Sequence, residues 1–255
     1  MKNLDSYITE KLVIGKDIIH KTKIQVSTKE ELRKIIEERI NEDKNANFND
    51  LDVSQITNMR GLFDGLDPYN IDISKWNVSK VENMDSMFYE CVNFNSDLSK
   101  WNVSKVEDMN NMFYGCENFN CNLSNWNVSN VINMNTMFCY CEKFKGNGLE
   151  KWNVSKVEDM GYMFHGCKKI NCDLSKWDVS KVNNMMWMFC DCEEFESDLS
   201  KWDVSNVTNM NKMFYGCDKF NFKLLDAWNI SKVDRMEEMF DHCWGVKDKP
   251  SWYQE

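Results

Sequence analysis

Hydrophobic and polar positions along most of this chain follow one arrangement that returns every 25 residues or so. In the segment DLSKWNVSKVEDMNNMFYGCENF, residues 97–119, the apolar side chains are Leu98, Trp101, Val103, Val106, Met109, Met112, Phe113 and Cys116, with polar residues filling most positions between. Tryptophan marks the phase at Trp76, Trp101, Trp126, Trp152, Trp177, Trp202 and Trp228, a spacing of 25 with one extra residue before Trp152 and before Trp228. A valine or isoleucine follows two residues later and a second valine three after that; then comes Met-x-x-Met-Phe, with a cysteine three residues beyond the phenylalanine. Those cysteines are Cys91, Cys116, Cys141, Cys167, Cys192, Cys217 and Cys243. An eighth, degenerate copy leads the array through Leu51, Val53, Ile56, Met59, Leu62, Phe63 and Leu66, without Trp or Cys.

Within one unit the Trp-x-Val core alternates as a short half-buried strand does. Met109, Met112, Phe113 and Cys116 stand at i, i+3, i+4 and i+7, the stripe of a helix about two turns long. Gly115, Gly166 and Gly216 sit where that helix would end. The spacing Leu98, Trp101, Val103 is that of a leucine-rich repeat with Trp and Val substituted. A unit this small cannot bury its own apolar face, so the units must stack. The expected fold is therefore an α/β repeat solenoid: a leucine-rich-repeat-like right-handed stack of about eight 25-residue strand/short-helix coils. Its core would be columns of Trp, Val, Met, Phe and Cys, each large side chain contributing on the order of 1.5–3 kcal/mol.

The ends depart from the repeat. STKEELRKIIEERINE, residues 27–42, opens with Thr28 and carries Glu31 three residues on, a capping box, followed by Leu32, Ile35, Ile36 and Ile40 on one face. The preceding IIHKTKIQV alternates as a strand. Residues 1–47 thus read as a strand-helix cap, 48–245 as the eight repeats, and 246–255 as a C-terminal cap or tail, with Trp244, Trp252 and Tyr253 covering the last coil.

Composition narrows the function classes. A net charge of -10 argues against a nonspecific nucleic-acid binder, so no nucleic acid is expected as partner. No apolar run approaches the roughly 18 residues of a membrane span, and the opening MKNLDSYITEKLVIGKD lacks the apolar stretch of a signal peptide. Read alone, these features suggest a cytoplasmic monomer without a cofactor. Eleven cysteines, mostly one per coil, fit buried thiols acting as small hydrophobes. The off-column Cys121, Cys139, Cys172 and Cys190 leave open a zinc or redox site around Cys116, Cys121, Cys139 and Cys141. Catalysis finds little support. His20, His165 and His242 form no triad pattern, and Asp97, Asp173 and Asp198 recur as a turn column.

Outward positions flanking the strand are the candidate partner surface. One column before the tryptophan holds Lys75, Lys100, Lys151, Lys176 and Lys201; the next, after it, holds Asn77, Asn102, Asn127, Asn153, Asp178 and Asp203. Serine follows, Ser104 among them, and then Lys80, Lys105, Lys156 and Lys181. In leucine-rich-repeat geometry these line a concave face, which would present Lys, Asn and Ser to a protein or glycan partner. Two alternatives remain: the Asn and Ser ladders bond only between coils while Lys keeps the surface soluble, or the array serves as a structural spacer in a larger particle.

FNSDLSKWNVSKVEDMNNMFYGC, residues 94–116, closely resembles the repeat of the BspA-like leucine-rich-repeat surface proteins, in its joint Trp-[Asn/Asp]-Val-Ser and Met-x-x-Met-Phe-x-x-Cys patterns. The resemblance spans about 200 of 255 residues. It implies surface association, adhesion and partner binding, and brings no catalytic residues.

Overall fold

A computed structural model of the chain describes residues 23–245 and 248–253. Regular elements are few: a strand β1 (Ile24–Gln25), a helix α1 (Lys29–Glu42), a strand β2 (Leu51–Asp52), and two 3₁₀ turns at Leu149–Lys151 and Phe222–Leu225. Strand β1 pairs in parallel with β2, Ile24 opposite Leu51. The N-terminal strand expected over residues 18–26 is therefore seen at Ile24–Gln25, and residues 18–22 lie outside the described residues.

Successive repeats lie in parallel register. Isolated bridges join Asn58 to Asn83, Asn83 to Asp108, Asp108 to Asn133, and so on to Asn209 with Arg235. From each bridge the backbone alternates. The N–H groups of Met84, Ser86, Phe88 and Glu90 donate to the carbonyls of Asp108, Asn110, Met112 and Tyr114 in the next repeat, at 2.7–2.9 Å. Those of Met87, Tyr89 and Cys91 turn back onto Met84, Ser86 and Phe88 in their own repeat. This alternation is why the Met-x-x-Met-Phe-x-x-Cys stripe is not the helix its spacing predicts. An α-helix commits every N–H to its own segment, whereas here every second one is claimed by a neighbour. The chain accommodates both directions by placing Ser86 (φ 55) and Glu90 (φ 54) in the left-handed region. Gly115, Gly166 and Gly216 occupy the second of these positions, with φ of 70–72, so they serve a turn rather than a helix end.

The strand expected at Trp-x-Val is seen in the first copy, as β2, but in none of the tryptophan repeats among the described residues. Trp101 N–H bonds Leu98 O and Val106 N–H bonds Val103 O, both within one repeat, so this side of the unit is a pair of turns. The repeat-to-repeat contact on this side comes from the indoles. Trp101 Nε1–H donates to Ile73 O (3.2 Å), Trp126 to Leu98 O (3.0 Å), Trp152 to Leu123 O (3.2 Å) and Trp177 to Leu149 O (2.9 Å). Column cysteines do the same on the other side: Cys116 Sγ–H reaches Phe88 O, Cys141 Phe113 O and Cys167 Phe138 O, at 3.0–3.1 Å. Leu98 O also accepts Trp101 N–H, and Phe88 O also accepts Cys91 N–H. Trp and Cys thus satisfy the second lone pair of a buried turn carbonyl in the preceding repeat. Both supply apolar bulk and a single donor, which explains their use at all seven copies that have a repeat before them.

Helix α1 forms as expected, with Thr28 at its N-cap accepting Glu31 N–H at 3.1 Å and Leu32, Ile36 and Ile40 buried. Glu31 reaches back to Ser27 N–H (3.1 Å) rather than to that of Thr28. The helix has a second task at the exposed edge of the first repeat. The carbonyls of Arg60, Leu62 and Asp64 are the equivalents of Asn110, Met112 and Tyr114, but no repeat precedes them to supply N–H donors. Lys29 Nζ caps Arg60 O (3.3 Å), and the Arg33 guanidinium caps Leu62 O and Asp64 O (2.9 Å each). Because a charged donor to a carbonyl contributes about 1.5–3 kcal/mol, Arg33→Ala is expected to lower stability by about 2 kcal/mol. Urea unfolding should show it as a shifted midpoint; no shift would mean that water caps this edge equally well.

At the C-terminal end Trp252 donates its indole N–H to Leu225 O (2.8 Å), continuing the tryptophan column one place beyond Trp228. Tyr253 packs edge-on against Phe240 at 4.8 Å. Trp244, expected with them over the last coil, is 82% exposed and touches His242 instead. Its backbone N–H is held by Asp218 Oδ1 at 2.8 Å.

Candidate functional site

Each of the expected partner lysines is exposed: Lys75, Lys80, Lys100, Lys105, Lys151, Lys156, Lys176, Lys181 and Lys201. Asn77, Asn102, Asn127, Asn153, Asp178 and Asp203 are exposed too, but their Oδ1 atoms accept the backbone N–H of the serine two residues on, at 3.0–3.2 Å. This is the Asx turn, in which a short side chain replaces a backbone acceptor. The column therefore shapes the backbone first, and Ser104, half-buried, is part of the same turn. Hydrogen bonding to the Ser205 hydroxyl and backbone holds the Asp203 carboxyl below the usual carboxylate range.

The lysines divide into two groups. Lys80 Nζ is held by Gln55 (2.9 Å) and Lys156 Nζ by Asn130 (2.7 Å), one repeat back. Among the described residues, the side chains of Lys75, Lys100, Lys151, Lys176 and Lys201 take no hydrogen bond or ion pair, as do those of Lys105 and Lys181. Aspartates sit close by, and Lys100 and Lys176 add to the lowering of the Asp97 and Asp173 carboxyls that Ser99 and Ser175 dominate. The backbone ladder runs through Asn83–Glu90 and its equivalents, not through Trp-Asn-Val-Ser, because the turns there consume the N–H groups internally and the indoles fill the space between repeats. The repeat-to-repeat backbone ladder therefore lies on a different side of each unit from these columns.

Two surface features escape a reading based on the strand columns. An open groove of about 540 Å³ is lined by Tyr69, Asn70, Asn93, Asn95, Asn118, Asn120 and Lys143. Its asparagines are partly committed, Asn95 Oδ1 to Asn120 N–H (2.9 Å) and Asn118 Nδ2 to Val92 O (3.1 Å). Their recurrence at Asn70, Asn95 and Asn120, one period apart, was the available signal. The second feature is a strip of rings beside the ladder, most of them at least partly exposed. Tyr89 stacks on Tyr114 (4.7 Å), Tyr162 on Trp187 (5.6 Å) and Tyr215 on His242 (4.6 Å), while Tyr140 meets the buried His165 at a tilt (4.8 Å).

All eleven cysteines are free thiols. Burial pushes the column thiols far above their ordinary range, and those of Cys139 and Cys172 up to about 12. The grouping of Cys116, Cys121, Cys139 and Cys141 that the sequence left open does not assemble. Cys116 and Cys141 point inward to phenylalanine carbonyls, Cys121 accepts Leu98 N–H at another corner, and Cys139 lies on the ring strip's side of the ladder. No helix among the described residues is long and apolar enough to cross a membrane.

One family model, described as a Mycoplasma protein of unknown function, DUF285, matches the chain twice, over residues 31–152 and 133–252. Each match spans several of the repeats. Among curated proteins no relative matches the chain.

Proposed function

The chain belongs to the DUF285 family and is a repeat protein, and on that premise we propose that it is a non-enzymatic, adhesion-type binding module of BspA-like solenoid character. Its partner is a protein or glycan carrying acidic groups. The observation that supports this is the row of exposed lysines Lys75, Lys100, Lys151, Lys176 and Lys201, placed at the same position of five of the seven tryptophan repeats, with Asn125 and Ala227 in the other two, and held by no other side chain in a hydrogen bond or ion pair. Neighbouring polar columns are occupied in Asx turns, whereas these ammonium groups make no hydrogen bond or ion pair, and Lys75, Lys100, Lys176 and Lys201 only add to the lowering of a nearby aspartate carboxyl. Rows of like charge at repeat spacing match a chain with regularly placed carboxylates or sulfates, and such contacts weaken with salt.

The triple substitution Lys100→Glu, Lys151→Glu, Lys176→Glu tests this. Immobilised heparin and a polyglutamate peptide serve as the glycan and protein probes. Wild type is expected to bind one of them in a salt-sensitive manner and the variant to lose at least about tenfold in affinity. Its unfolding midpoint should stay within the ±0.5 kcal/mol or so typical of surface changes. Failure of the wild type to bind either probe overturns the acidic-partner reading; equal binding by the variant moves the contact away from the lysine row, the asparagine groove being the next surface to mutate.

A further inference from the structure

Because the repeats obey one template, a site that exists only once has to be built from departures from it. The position after the repeat phenylalanine is tyrosine at Tyr89, Tyr114 and Tyr215, but Cys139, His165 and Cys190 in the three consecutive repeats between. The position after that holds Asp191 in the last of these three. These departures meet. His165, 6% exposed, lies one repeat from Cys190, with Nδ1 4.0 Å from Asp191 Oδ2, and Cys190 Sγ is 3.5 Å from the same oxygen. Among the described residues this is the one group of three His, Cys, Asp or Glu side chains whose ligand atoms all lie within 4.8 Å of one another.

We propose that His165 Nδ1, Cys190 Sγ and Asp191 Oδ2 bind a single divalent transition-metal ion of the zinc type. Tetrahedral zinc with Zn–S near 2.3 Å and Zn–O near 2.0 Å places its sulfur and oxygen ligands roughly 3.5 Å apart, the separation found between Cys190 and Asp191. The histidine nitrogen has to approach the carboxylate by under about 1 Å to meet the roughly 3.3 Å edge of that tetrahedron. Asp191 supplies this movement, since its side chain is 47% exposed. A nitrogen, a thiolate and one carboxylate suit zinc and exclude the all-oxygen preference of calcium and magnesium.

The surroundings fit a ligating histidine. His165 Nε2 lies 2.9 Å from Tyr140 Oη, so with Nδ1 on the metal the Nε2–H donates to that hydroxyl and orients the ring. Nδ1 is now 3.2 Å from Cys190 O, but that carbonyl also accepts Gly166 N–H at 2.8 Å and is not orphaned when Nδ1 turns to the ion. Gly166 and Gly216 make the room: a Cβ on the first would stand 2.6 Å from the Tyr140 ring, and one on the second 2.6 Å from Asp191 Oδ1. Trp187, edge-on to His165 at 5.1 Å, walls the site on one side. Binding converts the Cys190 thiol to thiolate and releases its proton to solvent. The fourth coordination position is left for water or a further donor.

The site is independent of the lysine row, and its test is separate. Full-length protein, stripped with chelator under reducing conditions, is titrated with Zn²⁺ and with Co²⁺. One ion per chain is expected, with the thiolate charge-transfer and tetrahedral ligand-field absorption of Co²⁺. Cys190→Ser should remove the charge-transfer band and weaken binding at least about 100-fold, and Tyr140→Phe should weaken it about tenfold while keeping the tetrahedral spectrum. Wild type, but not Cys190→Ser, should melt at higher temperature when zinc is added. Absence of stoichiometric binding in the wild type overturns the proposal, as does undiminished binding by Cys190→Ser, which would place the ion on other thiols. The serine is nearly isosteric, and an unchanged metal-free melting temperature shows that the variant is folded.

Discussion

Replacing Trp152 with alanine is expected to destabilise the protein by about 3–5 kcal/mol. The indole is 4% exposed and lies between Trp126 and Trp177, with ring centroids at 6.3 and 6.5 Å and planes within 1° of parallel. Phe138 tilts against it at 6.2 Å, and its N–H is spent on Leu123 O. Alanine removes the contacts with both neighbouring repeats, leaves a cavity lined by rings that are themselves stacked, and withdraws the donor from a buried carbonyl. In an array where stability is a sum of repeat terms and nearest-neighbour terms, an interior position counts at two interfaces. Trp252→Ala, at the end of the column and only partly buried, should therefore cost about half as much. Urea unfolding of the two variants checks the ratio, and the interior change should also broaden the transition as the array begins to melt in two parts. Equal costs at Trp152 and Trp252 would contradict the nearest-neighbour picture.

Gly148→Ala is the smallest substitution with a comparably large effect, about 2–5 kcal/mol. Gly148 lies in KGNGLEKW, where the period gains its extra residue, and N-caps the 3₁₀ turn Leu149–Lys151 with φ 98. A side chain there meets two penalties: the left-handed backbone costs about 1–2 kcal/mol, and the added Cβ overlaps Ser124 N and stands 2.6 Å from Ser124 Cα in the preceding repeat. Backbone on the far side of the contact cannot rotate away as a side chain would, so the overpacking cost of about 1–3 kcal/mol applies in full. Gly65→Ala is the control. Its φ of 72 carries the same strain, but an added Cβ finds nothing within 4 Å, so its cost should be the backbone part alone, about 1–2 kcal/mol. If both alanines shift the urea midpoint equally, the loop at Gly148 yields and the repeats are not held as closely as their hydrogen bonds imply.

The helix of residues 29–42 was legible because its signals are local: Thr28 and Glu31 lie within one turn of each other, and Leu32, Ile36 and Ile40 share a face whatever surrounds them. Within the repeats, the same rules named the buried residues correctly and their secondary structure wrongly. Met109, Met112, Phe113 and Cys116 are all buried, as the stripe required, yet the backbone between them is a series of turns. Any geometry that brings those four side chains inward satisfies the pattern. The candidate surface divides in the same way. Exposure of Lys100, Lys151 and Lys176 follows from their place between apolar positions, whereas the use of Asn102 or Asp178 as an Asx acceptor depends on the turn their neighbours form.

What spacing alone settled was the repeat, its length, its two one-residue insertions and the membership of each buried column, because burial follows side-chain type at a fixed interval. What needed the folded chain was the destination of each polar group. Whether Ser86 N–H turns back or crosses to Asn110 O, why Trp and Cys each carry one donor, and how Arg33 closes the first edge all depend on a partner some 25 residues away or on the far side of a cap. The meeting of His165, Cys190 and Asp191 belongs to the same class. These residues look like three unrelated exceptions along the chain, and parallel register between adjacent repeats makes them neighbours.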